Sequence, residues 1–233
     1  MSINQRLRVP VIVALAGFLL AGCAPVAEAD PASPSAEPTA SATPATPQAA
    51  ALVIGATGFT IVDGEGAELQ SMPYSSDPEA AVTLLSDTFG AEPVRSERQA
   101  EPSCTTEATL ATWDPGFVLR SGIPEGWIPA GQLFEIESSA PAVGDITIET
   151  PAGVGVGDPV DTLLAGLSPE QIVEPAQTDI GLIQWADYEV GSGTYVPSTD
   201  PNYGSLDYWG ASGRAVDGTV DILTAPKLFQ NLC

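Results

Sequence analysis

Three cysteines, a single lysine and no histidine set the reactive chemistry open to this 233-residue chain. Without imidazole no side chain has an unperturbed pKa near neutrality, which excludes Ser-His-Asp and Cys-His nucleophilic machinery. HExxH zinc sites are excluded with them. A serine–lysine pair would have to use Lys227, which has no SxxK pattern around it. Thirty acidic residues make the carboxylate pairs of glycoside hydrolysis unavoidable by chance, and no pair stands out. The thiols remain. Cys23 follows Leu20 and the small residues Ala21 and Gly22, which before a cut let a peptidase admit an extended backbone, and its sulfur suits thioether attachment of a diacylglyceryl group. Cys104 and Cys233 lie in no CxxC motif and beside no basic residue, so in an oxidising location they are expected to form a structural disulfide.

The segment before Cys23 supports export. Arg6 and Arg8 form a positive start, and the apolar run 9–21 is too short to stay in a bilayer as a mature helix. Charge, apolar run, small residues and cysteine in this order resemble the lipobox of bacterial lipoproteins. The resemblance implies a signal peptide over 1–22, acylation of Cys23 by chains such as palmitate, and an extracytoplasmic domain held to the cell membrane through lipid. Two acyl chains, at about 0.8 kcal/mol per buried CH₂, suffice for stable anchoring where one is marginal. Residues 23–50 are rich in Ala, Pro, Ser and Thr, carry only Glu28, Asp30 and Glu37 as charges, and show no periodic apolar face. They read as a disordered tether reaching about 30 Å as a coil or about 80 Å when extended.

Export removes Arg6 and Arg8 and leaves five basic residues against thirty acidic ones. Nucleic acid is therefore an excluded partner, because backbone neutralisation requires clustered Lys and Arg. Anionic headgroups and polyanionic wall polymers are repelled as well, which gives solubility and standoff from a negative envelope. Carboxylates in such excess also suggest calcium, but Asp63 and Glu65 fall in a turn pattern, and Asp200, Asn202 and Asp207 lack a bidentate Glu at the required spacing. No metal site and no cofactor is expected.

Leu52 to Thr60 resembles the strand and glycine turn that open NAD(P)-binding Rossmann domains. The pattern departs at Ile61, where a third glycine belongs, and at Asp63 to Gly66, where a helix should begin. Without that helix no dipole holds a phosphate, so dinucleotide binding is not expected, and Gly55 and Gly58 are read as shaping a bend in a strand. Trp185, Tyr188, Tyr195, Tyr203, Tyr208 and Trp209 concentrate aromatic residues among glycine-rich loops. Rings with a polar tip suit sugar or protein surfaces, and equally suit the core and edges of a sheet.

These residues need a frame, and the patterning of 51–233 predicts an α+β domain. Ala51 to Val62, the turn Asp63 to Gly66, and Ala67 to Met72 read as a hairpin. Asp77, Pro78, Glu79 and Gly90 supply the cap, first residue, acidic start and end of a helix whose Pro78, Ala81, Val82, Leu85 and Phe89 share a face. The signals return in Ile146 to Ile148, the glycines from Gly153 to Gly157, Asp158 as cap and Pro159 as first helical residue. Strand-like runs follow each helix: Gly116 to Arg120 and Gln132 to Glu137, then Ile180 to Val190 and Thr219 to Thr224. The expectation is antiparallel sheets, each with one helix packed on it, in two related ββαβ-type units, about 51–137 and 138–233. Asp-Pro helix starts also arise independently, on physical grounds alone.

The stretch Thr150 to Ala165 is similar in its strand, glycine turn and capped helix to repeats of small secreted α/β binding folds, among them the β-lactamase-inhibitor-like and outer-membrane-assembly lipoprotein families. The whole chain resembles surface lipoproteins of high-GC Gram-positive bacteria, a class that implies location more than mechanism. The functional expectation is a non-enzymatic, membrane-anchored domain that binds a protein or envelope component. The alternatives are a carboxylate-based hydrolase of wall glycan and a structural surface protein without a discrete ligand.

Overall fold

A computed structural model describes residues 47–100, 106–125, 127–173, 175–192 and 209–228. Cys23, Cys104 and Cys233 lie outside them, as do Tyr195, Tyr203 and Tyr208. The apolar run from Ala51 divides into β1 (Ala49–Ile54) and β2 (Gly58–Asp63), which fold back as an antiparallel pair with Leu52 opposite Ile61 and Ile54 opposite Phe59. The expected bend at Gly55 and Gly58 is thus a full reversal, closed by a 3.0 Å bond from Gly55 N–H to Gly58 C=O. Glycine is required at 58, because a Cβ there would fall 2.5 Å from the Met72 carbonyl oxygen. After Asp63 the chain turns again into β3 (Glu68–Pro73). Asp63 Oδ1 fixes that turn by accepting from the N–H groups of Glu65 and Ala67, each at 2.9 Å.

Helix α1 (Pro78–Phe89) has the predicted ends: the Asp77 side chain accepts from Glu79 N–H, and Gly90 closes the helix at φ 64°. Ala81, Val82, Leu85 and Phe89 are buried along its inner face, with Ser86 beside them. It leads into a four-stranded antiparallel meander of β4 (Val94–Arg98), β5 (Ala108–Trp113), β6 (Phe117–Ser121) and β7 (Phe134–Ser138). The short β8 (Ala142–Val143) and β9 (Ile146–Glu149) follow, then α2 (Val160–Leu164). A second meander comprises β10 (Ala176–Thr178), β11 (Gly181–Ser192), β12 (Trp209–Val216) and β13 (Thr219–Leu228).

The start of α2 corrects the sequence reading. Pro159, not Asp158, is the capping position, and no side chain caps the helix. Asp158 Oδ2 instead accepts from Gly155 N–H at 2.8 Å. Its backbone carbonyl is taken by Val220 N–H on β13 at 2.9 Å, so pairing with the sheet outcompetes capping.

Five strands form one sheet in the order β3-β2-β1-β9-β8, in which only the β1–β9 pair is parallel. Eight form the other, wholly antiparallel, in the order β10-β11-β12-β13-β7-β6-β5-β4. The two meanders therefore join through their last strands, with Leu223 opposite Ser138 and Ala225 opposite Ile136. Alternate residues of both sheets enter one core, including Leu52, Ile54 and Ile61 from the small sheet and Leu119, Ile136 and Leu223 from the large one. Single contacts tie residues of the two helices to the eight-stranded sheet. Phe89 of α1 packs edge-on against Phe117 and Trp113, with ring centres 5.2 and 5.7 Å apart. Leu163 of α2 sits over Gly213, where a Cβ would lie 2.6 Å from Leu163 Cδ2.

Candidate functional site

The Gly55–Gly58 reversal is held by three side chains from two distant parts of the sequence. Tyr74, just after β3, donates its hydroxyl to the Gly55 carbonyl at 3.0 Å. Tyr188 on β11 donates to the Ile54 carbonyl, also at 3.0 Å. Glu189 Oε2 accepts from Ala56 N–H at 2.7 Å, a short bond of the charge-assisted kind. Burial raises both tyrosine hydroxyls well above their ordinary range, and the Glu189 charge pushes them the same way, so they remain protonated donors. A register shift between Asp187 and Glu189 aims this part of β11 at the turn.

The pinned turn forms part of the wall of an open cleft of ≈ 790 Å³. Thr60 and Val62 of β2, Ser71 of β3, Gln132, Pro151 and Trp209 line it further. Among the described residues the lining carries the carboxylates of Glu68 and Glu189 and neither Lys nor Arg. Trp209 lies with its ring face against β11: a Cβ on Gly191 would fall 2.3 Å from Trp209 Cζ3, so glycine makes the room. Comparison with protein-family models, curated proteins and solved structures finds no match. The cleft thus stands on its geometry alone.

Three of the six aromatic residues singled out by sequence are described, and they do not form one surface. Trp209 lines the cleft. Tyr188 packs against the core and spends its hydroxyl on the turn. Trp185 leaves β11 on the sheet's other face, where the Lys227 ammonium stands 3.1 Å from its ring centre and the Arg214 guanidinium 5.7 Å away. Gly191 stood out in the sequence only as one of the glycines around the aromatic cluster, and Tyr74 and Glu189 drew no notice. Their only sequence signal is the glycine pair they serve, since Glu189 lies 133 positions from Ala56.

That other face of the large sheet is a polar network. Arg120 bridges Glu135 at 2.9 Å and Glu137 at 2.8 Å, and Arg214 pairs with Asp221. Burial raises the Glu135 carboxyl and Arg120 opposes it. Asp187 is buried, which lifts its carboxyl to about 6 against the weaker pull of the Ser212 hydroxyl and Lys227. Burial likewise lowers Lys227 to about 8, with Asp187 the main group opposing that shift. Ser212 is 0% exposed, and its Oγ makes no hydrogen bond of ordinary geometry among the described residues. Lysine and serine therefore do not form a nucleophile and base in contact, and the serine has no route to a substrate. Among the described residues no group of three carboxylate or cysteine side chains is arranged to hold a metal ion.

Leu52 to Thr60 adopts an antiparallel hairpin in place of the strand, turn and helix that a dinucleotide fingerprint requires. Its glycine turn presents a fixed backbone rather than a helix end.

Proposed function

We propose that the chain is a lipid-anchored extracytoplasmic binding module, attached through Cys23, spaced by the segment between Cys23 and β1, and contacting its ligand through the cleft at the Gly55–Gly58 turn. The observation that carries this reading is the pinning of the turn by Tyr74, Tyr188 and Glu189. Three buried or partly buried polar groups spent on one short reversal hold a concave wall rigid, and preorganised concavity is what a binding site needs. A carboxylate already engaged by a backbone amide is better suited to holding a surface than to moving protons. The domain's negative charge keeps it off anionic headgroups.

We also read the domain as two related units, each a helix followed by a four-stranded meander, joined through β7 and β13. This version of the repeat places one helix on each meander.

Two measurements test the function. Cys23→Ala should move the protein from the membrane fraction to the medium, and a variant still membrane-bound and unchanged in processing ends the anchoring reading. A photo-reactive residue replacing Ser75, at the cleft, should capture an envelope component on intact cells where the same residue replacing the exposed Glu170 does not. Equal capture from both positions, or none from either, removes the cleft. Release of soluble fragments from wall polymer by the purified protein would replace the binding module with a glycan hydrolase.

A further inference from the structure

We infer that the cleft takes an uncharged saccharide stacked on Trp209; the inference deepens the binding reading and rests on it. The charge of the cleft sets the first constraint. Among the described residues its lining holds Glu68 and Glu189 with no cationic side chain, in a chain of formal net charge −23, so an anionic ligand is repelled both locally and at long range. Glu189 has Oε2 committed to Ala56 N–H. Its other oxygen remains an acceptor fixed in place by that bond.

The rest of the polar lining is neutral. Thr60, Ser71 and Gln132 each donate and accept hydrogen bonds, which matches a ligand whose own groups do both, as ring hydroxyls do. Trp209 adds the apolar element. Its ring stands against Gly191 and lines the cleft, and an indole suits the C–H face of a pyranose. The volume, ≈ 790 Å³, lies within the range of small-molecule sites and accommodates a short oligosaccharide. Because Tyr74, Tyr188 and Glu189 already hold the turn, binding does not have to order it.

The test is calorimetric titration of the full-length protein, in a detergent without a sugar headgroup, with three trisaccharides of similar size and different charge. These are neutral chitotriose, its cationic fully de-acetylated form, and anionic trigalacturonate. Cellotriose and maltotriose extend the neutral set. At least one neutral trisaccharide should saturate with a dissociation constant in the millimolar range or below, and trigalacturonate should not bind. Trp209→Ala should weaken the neutral ligand by about tenfold, Trp209→Phe should recover most of the loss, and Gly191→Ala should also weaken it by displacing the ring. Trp127→Ala, exposed and outside the lining, should leave it unchanged.

Absence of saturation by every neutral trisaccharide up to about 10 mM overturns the proposal. So does an affinity indifferent to both Trp209→Phe and Gly191→Ala in folded protein. If the cationic trisaccharide binds more tightly and depends on Trp209, the uncharged ligand falls while the cleft stands. Failure of position-specific capture from Ser75 removes the cleft itself, so the two failures are distinguishable.

Discussion

At the scale of single residues, the hydroxyls and carboxylates beside the glycine turn matter more than their sequence context suggests. Tyr74→Phe deletes the donor to the Gly55 carbonyl and leaves the ring's packing against Phe134 in place. Unfolding free energy in urea should fall by about 1–2 kcal/mol; an unchanged midpoint would mean that water replaces the hydroxyl without cost. Asp187 makes a prediction in pH. Its carboxyl titrates at about 6 when folded and near 3.8 when free, so the folded state keeps the proton to higher pH. Its contribution to stability is full below about pH 4 and is lost as the pH rises through 6. Lys227 runs oppositely, since its ammonium is disfavoured in the fold below about 8 and that penalty lifts as the pH climbs towards 10.5. Asp187→Asn should therefore flatten the decline in urea stability between pH 4 and 6. A wild-type-minus-variant difference constant over that interval rules the assignment out.

Among elements, α1 shows how far local chemistry reaches. Asp77, Pro78 and Gly90 delimit it in the sequence as in the structure, because capping, proline at the first position and left-handed closure act over a few residues. Asp77→Ala should cost about 1 kcal/mol of stability in thermal or urea unfolding. Asp158→Ala should leave α2 intact and loosen the Gly155 turn, visible as faster amide exchange at Gly155, since that is where its carboxylate is spent. The same Asp-Pro dipeptide thus does two jobs. The difference lies in β13, whose Val220 pairs with Asp158 across the chain, a contact that no local pattern announces. For the same reason β4 and β5 were not legible. Val94 to Glu97 is wholly exposed along an edge strand and lacks the alternation by which a half-buried strand is read.

For the molecule as a whole, the two remaining cysteines make the sharpest prediction. A Cys104–Cys233 disulfide would close a loop worth about 4–5 kcal/mol in the chain-entropy model. Cys104→Ala, or reduction of the wild type, should lower the melting temperature, and denatured unreduced protein should show no thiol from either residue; two free thiols would refute the pairing. The sequence by itself determined the features written in local or compositional terms: the excess of carboxylates, the chemistries closed by the lack of histidine, and the capped helix α1. The tertiary structure alone decided that β1 and β9 lie parallel, that two meanders fuse into one eight-stranded sheet, and that Trp185 and Trp209 serve different faces. It also decided the geometry of the candidate cleft. The glycine pair at 55 and 58 was visible from the start, but a turn becomes a rigid wall only when Tyr74, Tyr188 and Glu189 reach it, and hydrogen bonds between residues 19 to 134 positions apart leave no periodic trace in a chain.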